Sequence, residues 1–396
     1  MANALQISKA HLIMALILPL AVILGYFLVD PMEPSSVLVV GLVLGALALP
    51  LMMQWYHPVL IFLWNAAMAP AFVPGSPSMW MLVALAGFAI CLLNRSINRN
   101  FKLIHVPSIT YSLFFLVAVV AVTAYLNGGI GSYIFGSSKF GGRRYFYTVL
   151  AVVGYLVLIS RRIPPRRAIL FVSLFFLSAL TSLVPDLVGL SGSNSSILYQ
   201  LFPPDFTSVQ AAAGETDQDF FRVFGLTFSS IGIFSTQLAW YGLRGVFDLT
   251  KPWRAVIFLL ALGACVYSGF RSFFVLMALM FAVQFFIEGL HRTRLLPVLA
   301  AVTLACGLIV LPQVERLPLV VQRTLSVLHV KVSPLAKANA EASSDWRLRM
   351  WKVVLPEVPG HLLLGKGYSM DSTAVYFSAP GRTVSDFEWA IVSGDY

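Results

Sequence analysis

The sequence predicts an all-α protein threaded many times through a lipid bilayer, and three observations carry that prediction. Charged residues make up only 11% of the chain, where a soluble domain carries about 25%, and the mean hydropathy is +0.83. The apolar runs are about 15–22 residues long, the length of a membrane helix, and lack the period-2 alternation of a β-barrel strand. The bases also fall unevenly on the segments that join those runs. Only helices and closed barrels satisfy the backbone in lipid, so the long non-alternating runs are read as helices.

Eleven runs are candidate spans: 11–29, 36–53, 58–73, 78–93, 109–126, 145–160, 168–189, 223–243, 255–269, 271–288 and 295–313. The first is longer than a signal-peptide core, and no small-x-small cleavage site follows Asp30-Pro31, so it is expected to be retained. The third contains Asn65 and Pro70 and is the weakest. With the N-terminus inside, thirteen bases lie on the inner segments, including Arg161, Arg162, Arg166 and Arg167. The short outer segments hold five: Lys139, Arg143, Arg144, Arg222 and Arg271. This is the positive-inside asymmetry of a multi-pass protein with a cytoplasmic N-terminus. The net charge of +10 follows from that topology, and binding of nucleic acid is not expected. Cys91, Cys265 and Cys306 all lie in apolar runs at no metal-ligand spacing and read as core packing.

Residues 255–290 form one apolar block with Arg271 at its middle. A single helix of that length, at about 1.5 Å per residue, would run to about 54 Å, against a bilayer core of about 30 Å. The block is therefore read as a helical hairpin turning near Ser268-Gly269-Phe270, with Arg271 emerging at the outer face. An arginine at membrane depth costs about 2.5–3.5 kcal/mol and calls for a partner.

Two units follow from this count: a transmembrane helical domain, 1–313, and a large outer loop region, 314–396. The second holds nine of the 27 bases and eight of the 17 acids. It reads as an amphipathic stretch over Leu317–Val332, a small polar linker over Leu335–Ser344, a short helix over Asp345–Leu355 ended by Pro356 and Pro359, and a tight turn at Gly365 and Gly367.

The candidate site is the set of outer-face bases that break the positive-inside bias: Arg143, Arg144, Arg222, Arg271, Arg347 and Arg349. Guanidinium groups bind oxyanions bidentately, so a cationic pocket made of them would hold a phosphate or pyrophosphate and stabilise charge developing on it. The bland alternative is that they snorkel to lipid headgroups. Asp217-Gln218-Asp219 has the spacing of a divalent-cation motif, but a solvated acidic loop is the simpler reading. Gly360-x4-Gly365-Lys366-Gly367 nearly spells a phosphate-binding loop, yet lacks the Ser/Thr after the lysine and a preceding strand.

The Arg222-Val-Phe-Gly225 helix start, the Ser268-Gly-Phe-Arg271-Ser hairpin, and Arg347-x3-Trp351 followed by Gly365-Lys-Gly367 in one large loop resemble the O-antigen ligase and O-antigen polymerase family, across roughly residues 20–396. The resemblance implies a bacterial inner-membrane glycosyltransferase of about twelve helices. Such an enzyme transfers glycan from undecaprenyl pyrophosphate to a saccharide or protein hydroxyl at the periplasmic face, with inversion and without a metal or other cofactor. It implies that Arg222, Arg271 and Arg347 bind or polarise the donor pyrophosphate, and that Trp351 packs the loop helix or stacks a sugar. Membrane lipids are the remaining partners.

The sequence departs from the family pattern in one respect. Family members carry a His, often His-Asn, after the glycine turn, followed by a closing helix. Neither His329 nor His361 occupies that place, and no apolar run follows Val392-Ser-Gly-Asp-Tyr396. The base that activates the acceptor is therefore unassigned, and the His is expected beyond Tyr396 in a longer chain. The chain as it stands would then bind donor without turnover, unless Asp386, Glu388 or Asp395 substitutes. A polymerase of the same family is an alternative to the ligase, the two differing in acceptor. A transporter of an anionic lipid-linked saccharide is the alternative of another class, although transporters set charges near the midplane and often show internal repeats, neither of which is visible here. A degenerate, non-catalytic scaffold is the third.

Overall fold

The computed structural model describes residues 18, 19, 21, 22, 25, 26, 43, 52–71, 73, 75–97, 104, 106–127, 139, 140, 142–190, 196–204, 223–293, 295–328, 330–368, 370 and 371. The chain divides into two units, Met1–His57 and Pro58–Tyr396. Few residues of the first are described. The second is built of helices, numbered here α1 (Met79–Ile97), α2 (Pro107–Leu126), α3 (Arg143–Leu158), α4 (Ala168–Leu177), α5 (Leu183–Leu190), α6 (Ser196–Leu201), α7 (Phe224–Val246), α8 (Trp253–Tyr267), α9 (Arg271–Ile287), α10 (Leu295–Val310), α11 (Leu319–Leu325) and α12 (Pro334–Val354). One antiparallel bridge joins β1 (Lys139–Phe140) to β2 (Met370–Asp371), with Lys139 opposite Asp371.

Among the described residues, four helical stretches are long and apolar enough to cross a membrane: Met79–Ser96, Pro107–Leu126, Pro165–Gly189 and Leu296–Arg316. Trp253–Tyr267 and Arg271–Ile287 are apolar but shorter. The protein is thus a helical membrane protein. The weak third span stops being helical at Trp64, because Asn65 and the residues after it spend their hydrogen bonds elsewhere. Asn65 Nδ2 donates to the Phe175 carbonyl at 3.1 Å, and the Ala67 amide donates to Thr181 Oγ1 at 2.9 Å. The Ala69 and Ala71 amides donate to the carbonyls of Leu201 and Gln200.

Helix α7 is the axle of the second unit and packs against α4, α5, α8 and α9. Its surface is small and hydroxylated, with Thr227, Ser229, Ser230, Ser235 and Gln237 all buried. A helix enclosed by protein can carry such residues where one facing lipid cannot. Close packing depends on two glycines: a Cβ on Gly225 would overlap the Ser182 carbonyl oxygen, and one on Gly232 the Phe176 carbonyl oxygen. The adjoining core joins Phe234, Leu238, Phe258, Cys265, Met277 and Phe285 from α7, α8 and α9.

Near its end α7 breaks at Gly242, whose φ of 61° and ψ of 179° are not helical. The amide groups freed by the break are received by one side chain. The Leu243 and Arg244 amides donate to the Glu288 carboxylate at 2.7 and 3.1 Å, and Gln284 Nε2 supports it at 2.7 Å. The α8–α9 hairpin turns where the apolar block required it: α8 ends at Tyr267, Gly269 takes φ +84°, and α9 starts at Arg271. At positive φ the left-handed turn favours a residue without Cβ.

The loop region differs from expectation in one element. The stretch read as a polar linker, Leu335–Ser344, is helical and continuous with the helix after it, giving the 21 residues of α12. Alanine is the strongest helix former, and Ala336, Ala338, Ala340 and Ala342 recur through that stretch. The helix starts at Pro334, with Ser333 accepting a hydrogen bond from the Ala336 amide.

Candidate functional site

Arg271 is the first residue of α9 and follows an extended residue, Phe270. Its guanidinium reaches across to α12, where Nη2 donates to the Ala340 carbonyl at 2.9 Å and lies 3.5 Å from Ser344 Oγ. Arg347, one turn further along α12, is near enough for the two positive charges to repel each other. Arg271 lines a cavity of about 650 Å³ together with Glu315, Lys331, Lys337, Glu341 and Ser344. Lys337 is held by Glu341 at 3.8 Å in an exposed i,i+4 pair, a contact worth little in water. Its lining therefore carries three bases, Arg271, Lys331 and Lys337, against two acids, Glu315 and Glu341.

Arg323 adds to this end of the molecule. It is buried on α11, which packs against α8, α9 and α12. Sequence reasoning passed over Arg323, Lys331 and Lys337, although each lies in the loop region read as the donor-binding half. The signal that could have found Arg323 is its place inside an otherwise apolar turn, Leu319–Leu325. A second cavity, of about 530 Å³, opens lower down between α7 and α9 and is lined by Ser235, Leu238, Leu279, Met280, Val283 and Gln284. Met280 lies nine residues along α9 from Arg271, about 14 Å at 1.5 Å per residue.

The other predicted site residues are placed elsewhere. Arg143, exposed at the start of α3, donates through Nη2 to the Ser76 carbonyl and the Tyr147 hydroxyl, both at 3.1 Å, and its guanidinium sits 5.4 Å from the Tyr147 ring centre. Arg144 is exposed beside it. Neither lines the Arg271 cavity. Arg349 is exposed and turns back to the Asp345 carbonyl at 3.4 Å. Trp351, expected to pack the loop helix or stack a sugar, does not pack it: it is exposed. Of the five described candidate arginines only Arg271 lines that cavity, with Arg347 near it. Arg222, the acceptor-base candidates Asp386, Glu388 and Asp395, and Asp217-Gln218-Asp219 lie outside the described residues. Among the described residues no three His, Cys, Asp or Glu side chains gather as a metal site.

The glycine turn after α12 is fastened to the ends of α2 and α3. Thr123 Oγ1 donates to the Leu364 carbonyl at 2.7 Å, Asn127 Nδ2 approaches the Gly365 carbonyl at 3.5 Å, and the Tyr368 amide donates to the Tyr145 hydroxyl at 2.8 Å. The turn that mimics a phosphate-binding loop is therefore a packing device.

At the head of α7, Asp186 is buried and its Oδ2 accepts the Gly225 amide at 2.7 Å. It borders a cavity of about 290 Å³ walled by Trp64 and Trp80, whose rings stack 5.1 Å apart. An acid inside an apolar run was the sequence signal for it. No protein-family model matches this chain, and no curated protein or solved structure compared with it does so either.

Proposed function

We propose that the protein transfers a glycan from undecaprenyl pyrophosphate to a hydroxyl acceptor at the periplasmic face of the bacterial inner membrane, as an O-antigen ligase does. The observation that carries this reading is a cationic cavity at the start of the apolar helix α9, lined by Arg271, Lys331 and Lys337 with Arg347 near. Positive charge gathered there favours a multivalent anion such as the headgroup of a lipid carrier. The apolar cavity about 14 Å further along α9 suits the carrier's hydrocarbon chain.

In this reading the acceptor oxygen attacks the anomeric carbon as the glycosyl–phosphate bond breaks. The bond's electron pair leaves on the pyrophosphate. Arg271 and Arg347 stabilise that growing charge, and the acceptor's proton passes to a base that remains unassigned. The topology that goes with it has eleven spans in this chain, a cytoplasmic N-terminus and the 314–396 region outside.

The test is the surface-glycan ladder, together with the lipid-linked pool, in a deletion strain complemented with variants. Arg271→Ala is expected to abolish the ladder and strand long glycan on the carrier while the protein still inserts. Arg271→Lys is expected to fail as well, because an ammonium cannot reproduce the bidentate fork. A normal ladder with Arg271→Ala removes Arg271 from the site. An unchanged ladder in the deletion itself overturns the function, and single repeat units in place of long chains would mark a polymerase.

A further inference from the structure

We infer that the second half of α12 is an interfacial helix, lying along the membrane surface with one ridge of large apolar side chains sunk among the lipids. Leu348, Trp351, Leu355 and Val358 follow one another at steps of three and four residues, through the end of α12 and into the 3₁₀ turn Leu355–His361. Side chains at that spacing share one face. All four are between 44% and 60% exposed. The far side of the helix, Trp346, Met350 and Val353, is half-buried within the protein.

Two tethers set the depth of this segment. Upstream, Ala340 and Ser344 on α12 meet Arg271 at the head of α9. Downstream, the Leu364 carbonyl accepts from Thr123 in the last turn of α2, a helix long and apolar enough to cross a membrane. A segment fastened at each end to the end of an apolar helix runs along the membrane face. From Ala340 the remaining 15 residues of α12, at about 1.5 Å each, and the seven-residue 3₁₀ turn, at about 2 Å each, cover roughly 36 Å.

Direction follows from continuity. Ser344, Leu348, Trp351 and Leu355 form a single row, and the Ser344 hydroxyl lies 3.5 Å from Arg271 Nη2 at the head of the apolar helix α9. The rest of the row passes beyond that contact facing the same way, toward the bilayer. Arg349 and Lys352 are exposed around it, placed to meet headgroup phosphates while their stems lie against the acyl boundary. A tryptophan beside cations is the usual furnishing of a membrane interface. This inference is independent of glycan transfer: it concerns Trp351 and its neighbours as lipid-facing residues.

The test uses the full chain in phosphatidylethanolamine–phosphatidylglycerol vesicles, with its three cysteines changed to alanine. Nitroxide labels are placed singly at Leu348→Cys, Trp351→Cys, Leu355→Cys and, on the opposite side, Ala342→Cys. The three ridge labels are expected to collide freely with oxygen and to be several-fold shielded from an aqueous nickel complex relative to the label at 342. Nickel access at the ridge equal to that at 342 overturns the inference. So does dipolar broadening between copies, which would put a second chain on the ridge. A measurement that keeps the native cysteines compares wild type with Trp351→Phe: the fluorescence lost should be the part that shallowly brominated lipid quenches, and an unchanged quenched fraction also overturns it.

Discussion

Arg271 has the same sign as the helix end it occupies, since a helix N-terminus carries about half a positive charge. Two other helix starts are met by carboxylates. Asp186 accepts the Gly225 amide at the head of α7, and Glu288 accepts two amides where α7 restarts after Gly242. At α9 the chain supplies a guanidinium instead, and places Arg347 near it. The carbonyl of Ala340 takes one hydrogen bond but brings no full charge, so this end is suited to an anion from outside the chain. Asp248 shows the opposite arrangement in the turn between α7 and α8. The Thr250 amide and hydroxyl donate to its Oδ1 at 3.0 and 2.8 Å, and these bonds, with Arg254 and Lys251 near, hold its carboxyl below the usual carboxylate range. A depressed folded value means that its contribution to stability is complete above the unfolded value of about 3.9 and disappears as pH falls through the folded one. Thermal unfolding in detergent should show Asp248→Asn less stable than wild type at neutral pH, with the gap closing as the folded value is passed. A gap of constant size down to the lowest pH would mean that the turn does not depend on the charge.

At the scale of elements, the hairpin and the long loop show what the sequence could and could not say. The hairpin at Ser268-Gly269-Phe270 was legible because length alone forbade a single helix and only one glycine stood near the midpoint. The first half of α12 was not, because its residues are polar and small and carry no apolar period; its helix comes from alanine propensity and from its cap. Arg271 and Arg347 were legible through their charge as two of six outer-face arginines, not as a pair. Lys331 and Lys337 were not, since their approach to Arg271 depends on α11 packing over α8 and α9 and carrying α12 with it, a long-range event that no local pattern records. The cap makes the α12 account testable. Ser333 accepts the Ala336 amide at 3.3 Å, and loss of such a cap costs about 1 kcal/mol. Ser333→Ala should therefore lower the unfolding temperature and loosen amide protection at the start of α12, while Ser333→Asp should restore both. Unchanged exchange at Ala336–Ala340 in Ser333→Ala would mean that packing against α11, and not the cap, holds this end.

For the whole molecule, connectivity and charge make a joint statement about sidedness. The α7–α8 turn carries Arg244, Lys251 and Arg254, and Arg254 is committed there, stacked 3.8 Å over the Tyr241 ring and bonded to the Gly245 carbonyl. The α8–α9 turn lies one helix away and carries Arg271 as its only base. The loop region is tied to that second turn through Ala340, and to the end of α2 through Leu364. If α8 crosses the bilayer, the base-rich turn and the loop region must lie on opposite sides, and the positive-inside bias puts the loop region outside. At 15 residues α8 is about 22 Å long, short of the roughly 30 Å core, so crossing requires local thinning of the bilayer or help from the residues flanking it. Single cysteines at Leu249 and Ala342 decide the matter in whole cells with a permeabilised outer membrane. Position 342 should react with a membrane-impermeant maleimide, and position 249 only after the inner membrane is opened. Reaction of both before opening would make α7, α8 and α9 a packed group that enters and leaves by the same face. The Arg271 cavity would then lose its place at an outer headgroup layer, and the proposed donor site would fall with it.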